Sequence, residues 1–165
     1  MTLRNFVMWP DARLKTPAKP VGEVTDEHRV IWDDMIEMME AMPGYGLAAP
    51  QMGVMLRLAV VDCSETRGRA VCLADPEILQ AGEEMRDWDE ASPNLPGVSA
   101  KVSRPAHVTV AFTNRDGVRM RQEFEGLWAT SVQHQIDHLD GRMFFDRLSR
   151  TKREMLLKKA RKAGA

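Results

Sequence analysis

Apolar residues recur along this chain with two different periods, and the places where the period changes mark its elements. Ile31, Met35, Met38, Met39 and Met42 fall at i, i+4, i+7, i+8 and i+11, which is one face of a helix. Thr25 offers an N-cap before this face and Pro43-Gly44 stops it, so the pattern predicts a helix from Thr25 to about Met42. The shorter period follows. Arg57–Asp62 and Ala70–Ala74 are β-like runs on either side of the polar turn Ser64–Arg69, which predicts a hairpin. Val102–Arg104 and His107–Thr113 read as strands, Asn114–Gly117 as a turn, and Val118–Phe124 as the returning strand. Helical spacing resumes from Gly126 to about Gly141 and is followed by the short apolar run Met143–Phe145. Pro10, Pro17 and Pro20 make the first twenty residues a turn-rich arm lying on the surface.

The order helix, strands, helix, tail predicts an α+β fold rather than alternating α/β. At 165 residues the chain has the length of one domain, 1–165, with 44% hydrophobic and 28% charged residues and no internal repeat. The first ten residues lack the apolar run of a signal peptide, and no stretch approaches the roughly 18 apolar residues of a membrane span. Two cysteines, Cys63 and Cys72, are too few for a disulfide scaffold or a four-thiolate zinc site. The expectation is a cytoplasmic protein with reduced thiols and no membrane partner. Twelve methionines point to a pliable core or a pliable pocket.

The net charge of −1 predicts no general attraction to DNA, yet it hides an asymmetry. Seven basic residues and one acid lie between Arg150 and Ala165, which gives the tail +6 and leaves −7 for residues 1–149. Met155, Leu156, Leu157, Ala160 and Ala163 recur there at near-helical spacing, so the tail reads as a basic amphipathic helix. Two readings stand side by side: a helix docked by its apolar stripe, or a surface for an acidic partner such as RNA.

Three segments carry candidate chemistry. In Gly44-Tyr-Gly-Leu-Ala-Ala-Pro-Gln51, small residues allow close backbone approach and Gln51 presents an amide that both donates and accepts. His134-Gln-Ile-Asp-His138 puts two histidines at i and i+4 on one helix face, the spacing of a two-ligand metal clamp. A zincin-like site would carry Glu beside the first His as general base, whereas Gln135 cannot take a proton near neutral pH. Asp89-Glu-Ala-Ser-Pro-Asn-Leu-Pro-Gly97, with two prolines and a glycine, reads as a rigid loop. Leu127, Thr130, Ser131 and His134, at i, i+3, i+4 and i+7, share one helix face.

In this order and spacing the segments resemble the peptide deformylases, metal-dependent hydrolases that remove the formyl group from N-terminal formylmethionine of nascent peptides. Gly44, Gly46, Ala48, Ala49 and Gln51 match that family's Gly-x-Gly-x-Ala-Ala-x-Gln. Gln133, His134, Asp137, His138, Leu139 and Gly141 match its Gln-His-Glu-x-Asp-His-Leu-x-Gly, with Gln135 at the Glu position. The flanks Asp11-Ala-Arg-Leu, Gly126-Leu-Trp-Ala and Phe145-Asp-Arg-Leu agree as well. The resemblance implies antiparallel sheets packed around a central helix bearing the two histidines, with a C-terminal helix. It further implies a divalent metal (iron, zinc or nickel), formylated peptide N-termini as ligands, and ribosome contact through the C-terminal helix.

The middle motif departs from the family's Glu-Gly-Cys-Leu-Ser, reading Glu90-Ala-Ser-Pro-Asn94. The resemblance assigns Glu90 and Arg104 to a bracing pair and His134, His138 and position 92 to the metal. Ser92 stands where the thiolate ligand is expected, and a neutral hydroxyl is a far poorer ligand for a borderline metal. Gln135 replaces the proton-shuttling Glu, a loss typically worth about 10²–10⁴ in rate. Pro93 stands where a backbone N–H would bind the formyl oxygen, a loss of roughly 10²–10³, which leaves Gln51 as the other donor. Gly44, Tyr45, Gly46, Leu127, Thr130 and Ser131 correspond to the substrate pocket, where Thr130 and Ser131 are more polar, and Tyr45 larger, than a methionine pocket asks for. The expectation is a deformylase-like protein deficient in deformylation. The alternatives are an active enzyme with altered metal or substrate use and a peptide- or ribosome-binding module.

Overall fold

The computed structural model describes residues 5–164. Residues 1–4 of the expected arm and Ala165 of the tail lie outside the described residues. Helix α1 spans Asp26–Ala41, strands β1 to β7 span Gly46–Ala48, Leu58–Val61, Val71–Ala81, Met85–Ser92, Leu95–Pro105, His107–Thr113 and Arg119–Glu125, and helices α2 and α3 span Leu127–Leu139 and Arg150–Lys162. Thr25 is the N-cap of α1, and its backbone N–H donates to His28 Nδ1 at 3.0 Å.

A five-stranded antiparallel sheet runs β1-β2-β3-β6-β7, and β4 and β5 form a separate antiparallel hairpin. The large sheet is covered on both faces because β2 alternates. Leu58 and Val60 join Trp32, Met35, Met38 and Met39 of α1, while Val61 joins Ala129, Val132 and Ile136 of α2. Each Val, Leu, Ile or Met among these side chains, removed from water, contributes about 1.5–3 kcal/mol. The methionine stripe is therefore core up to Met39, and Met42 is the exception: it is half-buried and faces the cleft described below.

Three expectations change. Strand β3 continues to Ala81, past Asp75-Pro76, because the register with β6 shifts between Ala74 and Glu77 and the proline needs no ladder partner there. The segment from Asp89 to Gly97 is not a loop: it is the end of β4, a two-residue turn at Pro93-Asn94 closed by Ser92 and Leu95, and the start of β5. In α3 the buried stripe is Leu156 and Ala160, with Leu157 packed beside it, whereas Met155 is 67% exposed and Ala163 also faces solvent. The stripe seats α3 against Leu95, Val98 and Val102 of β5 and against Phe144 and Phe145, leaving its lysines in water. Cys63 and Cys72 are both free thiols, and Cys72 lies opposite Val60 rather than Cys63. Among the described residues no helix is long and apolar enough to cross a membrane.

Candidate active site

Three pieces of chain meet over the buried helix α2. Gly126 takes φ 61°, a left-handed conformation open to glycine, and so turns β7 directly into α2. Strand β1 then crosses α2 at Gly46, where an added Cβ would lie 2.6 Å from both Ser131 Oγ and Gln135 Nε2. The absence of that carbon is what permits the approach. Ser131 Oγ donates to the Tyr45 carbonyl at 2.9 Å and fixes the crossing. The tip of the β4–β5 hairpin closes the third side. Between them lies a cleft of about 430 Å³ whose walls include every residue the sequence nominated here except His138 and Arg104. Those two sit beneath it, 1% and 2% exposed.

Under the cleft runs a continuous polar chain. Arg104 donates to both oxygens of Glu90, at 2.7 and 2.9 Å, and to Asp137 at 2.8 Å. Arg147 closes on the same Asp137, donating to both of its oxygens. Burial opposes the charge on Glu90, but the hydrogen bonds from His134 and Arg104 outweigh it and hold the carboxyl below its ordinary range. Asp137 is likewise held low: burial opposes its charge, and the hydrogen bond from Arg147 and the charge of Arg104 outweigh it. His134 Nδ1 lies 2.7 Å from Glu90 Oε1, and its Nε2 lies 3.1 Å from His138 Nε2. Complete burial pushes His138 well below the usual histidine range, with the neighbouring His134 and Arg104 acting in the same direction.

At the hairpin tip the polar side chains bond to one another. Ser92 Oγ donates to Asn94 Oδ1 at 2.9 Å, accepts the Asn94 backbone N–H at 3.2 Å, and lies 3.5 Å from Gln51 Nε2. The proton and one lone pair of this hydroxyl are thus engaged inside the tip, and the Gln51 contact lies at the limit of hydrogen-bond distance. Gln51 Nε2 donates to Asn94 Oδ1 at 2.7 Å while its Oε1 accepts Ala48 N–H at 2.9 Å. Pro93 supplies no donor. Gln135, 4% exposed, lines the cleft with its Oε1 lacking a hydrogen-bond partner.

The donor set decides how a metal would fit. Two imidazoles with Nε2 atoms 3.1 Å apart suit one ion, since two nitrogens at about 2.0–2.1 Å in tetrahedral array lie close to that separation. The third position is a committed hydroxyl, and among the described residues no group of three or more His, Cys, Asp or Glu is placed to hold a metal. The residues present do not fit a catalytic ion, which takes three protein ligands.

Sequence reading missed Asn94, fully buried at the centre of the tip, and Arg86, which donates to Thr130 Oγ1 at 3.1 Å and stacks over Trp88 at 4.6 Å. An asparagine in a proline-rich turn carries no signal of burial, and Arg86 lies on a strand whose apolar alternation is too sparse to read.

A family model described as polypeptide deformylase matches residues 3–154. The chain is 44% identical to a peptide deformylase of Methylocella silvestris over 99% of its own length and 86% of that protein's. It is 43% identical to one from Teredinibacter turnerae, over 98% and 96%. The fold superposes on the crystal structure of a peptide deformylase from Legionella pneumophila with a TM-score of 0.91 at 36% identity, over 99% and 96% of the two chains. It superposes equally, with a TM-score of 0.91 at 31% identity over 99% and 98%, on the Ehrlichia chaffeensis peptide deformylase in complex with actinonin. The antiparallel sheets, the central helix bearing His134 and His138, and the C-terminal helix are those of this fold, and the chain belongs to the peptide deformylase family.

Proposed function

We propose that this protein binds the end of a peptide in its cleft without removing a formyl group from it. The observation that carries this reading is the state of Ser92. Its proton is donated to Asn94 Oδ1 and one lone pair takes the Asn94 N–H, at the position where a family enzyme presents a thiolate to the metal. Gln135 in the general-base position and Pro93 in the donor position point the same way, each removing a different part of the reaction. These effects act on one unit and do not multiply.

Among the described residues a divalent ion here would have only His134 and His138 to hold it. With two protein ligands it is held weakly. The test is metal content. Protein purified without chelator and loaded with excess zinc, iron(II) or nickel is expected to lose the ion on desalting, and a retained stoichiometric ion overturns the reading.

The cleft supports a ligand other than methionine. Its floor holds Thr130 and Ser131, Thr130 is engaged by Arg86, and Tyr45 stands half-exposed at its edge. A polar side chain on the ligand meets partners there that a thioether does not.

A second reading concerns α3. Arg150, Lys152, Lys158, Lys159, Arg161 and Lys162 are exposed along one docked helix, which supports contact with ribosomal RNA. Deleting the helix would also uncover Leu156 and Ala160, so the discriminating change is Lys158→Glu with Lys159→Glu and Lys162→Glu. Co-sedimentation with ribosomes that survives this change contradicts the second reading.

A further inference from the structure

Asn94 is buried completely and uses every hydrogen-bonding position of its amide. Its Nδ2 donates to the carbonyls of Val7 and Gln51, and its Oδ1 accepts from Gln51 Nε2 and Ser92 Oγ. The amide cannot be turned over, because its oxygen would then face two carbonyl oxygens. Gln51 is fixed the same way, since its Oε1 takes Ala48 N–H and so directs its NH₂ at Asn94. The backbone completes the knot: Trp9 N–H donates to the Asn94 carbonyl at 2.9 Å and Val7 N–H to the Gln51 carbonyl at 2.8 Å.

From this geometry we infer that Asn94 is a positioning residue that withdraws the Gln51 amide from the cleft. The inference builds on the proposed loss of deformylation and adds a residue that loss did not include. Gln51 lines the cleft beside Ser92 and Pro93, and with proline at 93 it is the remaining donor for a carbonyl oxygen at that place. An amide has two N–H groups; the shorter of the two contacts here, 2.7 Å, is to Asn94, and the other is the long contact to Ser92. Asn94 Oδ1 therefore holds one of the two N–H groups, and a ligand carbonyl must displace that buried pair to take it. Serine, the residue of the family pattern at 94, has a single hydroxyl. It cannot bridge Val7, Gln51 and position 92 together, so its hold on Gln51 is weaker than that of Asn94. The altered motif thus acts at three consecutive positions: 92 on the metal, 93 on the backbone donor, and 94 on the side-chain donor.

The consequence is that reverting the evident changes leaves the site incomplete. Ser92→Cys with Pro93→Leu and Gln135→Glu restores the ligand, the backbone donor and the base, but Gln51 stays tied to Asn94. Adding Asn94→Ser to these three is expected to raise kcat on formyl-Met peptides by about 10²-fold, the usual worth of one oxyanion donor, with cobalt(II) affinity unchanged between the two revertants. Gln51→Ala in the same background is expected to abolish that gain. An equal gain with Gln51→Ala, or no gain at all, overturns the inference. A readout in the otherwise natural chain is independent of activity and of the revertants' folding. In ¹⁵N-labelled protein the Gln51 side-chain amide protons are expected to exchange with solvent at least about tenfold faster in Asn94→Ser. Exchange unaltered by Asn94→Ser also overturns the inference, whereas turnover by the natural protein would instead overturn the proposed function and leave the amide result standing.

Discussion

Arg104 grips both carboxylate oxygens of Glu90, and with both residues under 5% exposed this pair is the buried brace between the β4–β5 hairpin and helix α2. The brace reaches α2 twice, through Glu90 to His134 and through Arg104 to Asp137. Removing one partner of such a network strands charge in the interior. Arg104→Met is expected to destabilise the fold by about 3–5 kcal/mol, read from urea unfolding midpoints. A loss below about 1 kcal/mol would show that the network is not structural. The brace holds the hairpin wall of the cleft against α2.

The polarity of the cleft floor sets its preference. Thr130→Ile removes the hydroxyl that Arg86 reaches, and Ser131→Ala removes the one that donates to Tyr45. Together they are expected to shift binding toward methionine-bearing peptides over serine- or glutamine-bearing ones by about tenfold, the order of 1–3 kcal/mol that one methylene carries in an apolar pocket. Calorimetry on matched peptides reads this ratio, and an unchanged ratio would place the ligand elsewhere.

Strands β2, β3, β6 and β7 and both long helices were legible because their apolar positions are periodic, and His134 and His138 because they stand four apart on a helix; β1, three residues inside a segment read only for its small residues, was not. Strand β4 was not, because Met85–Ser92 buries only Glu90 and Ser92, both polar, and packs as one half of a hairpin. The turn at Pro93-Asn94 was mistaken for part of a longer loop because proline and asparagine mark turns of any length. The commitments of Ser92 and Gln51 depend on Asn94, on Val7 and on a register between distant strands, and no local pattern carries them. Residue type revealed which family residues are replaced; only tertiary contact reveals how the remaining groups are tied.

Cys63 lies close to this machinery without belonging to it. Burial pushes its thiol up to about 12 and the charge of Asp62 adds to this, while the Ser131 hydrogen bond and the charges of Arg67 and Arg86 only partly oppose them. Because the thiolate is the reactive form, alkylation by iodoacetamide at pH 8 is expected to run about 10³-fold slower than for a free thiol of pKa near 8.5. The rate is expected to climb about tenfold per pH unit for as long as the fold persists. Rapid labelling at pH 8, followed by mass spectrometry of the peptide holding Cys63, would contradict this assignment.

Binding without deformylation, in a chain of the peptide deformylase family, is the proposal that turnover decides. Its most direct test is the initial rate of formate release from formyl-Met-Ala-Ser by the natural protein, loaded anaerobically with iron(II), with a chelated sample as the blank. Formate release is expected to be indistinguishable from the blank. Turnover in the ordinary enzymatic range of about 1–10³ s⁻¹ would contradict it.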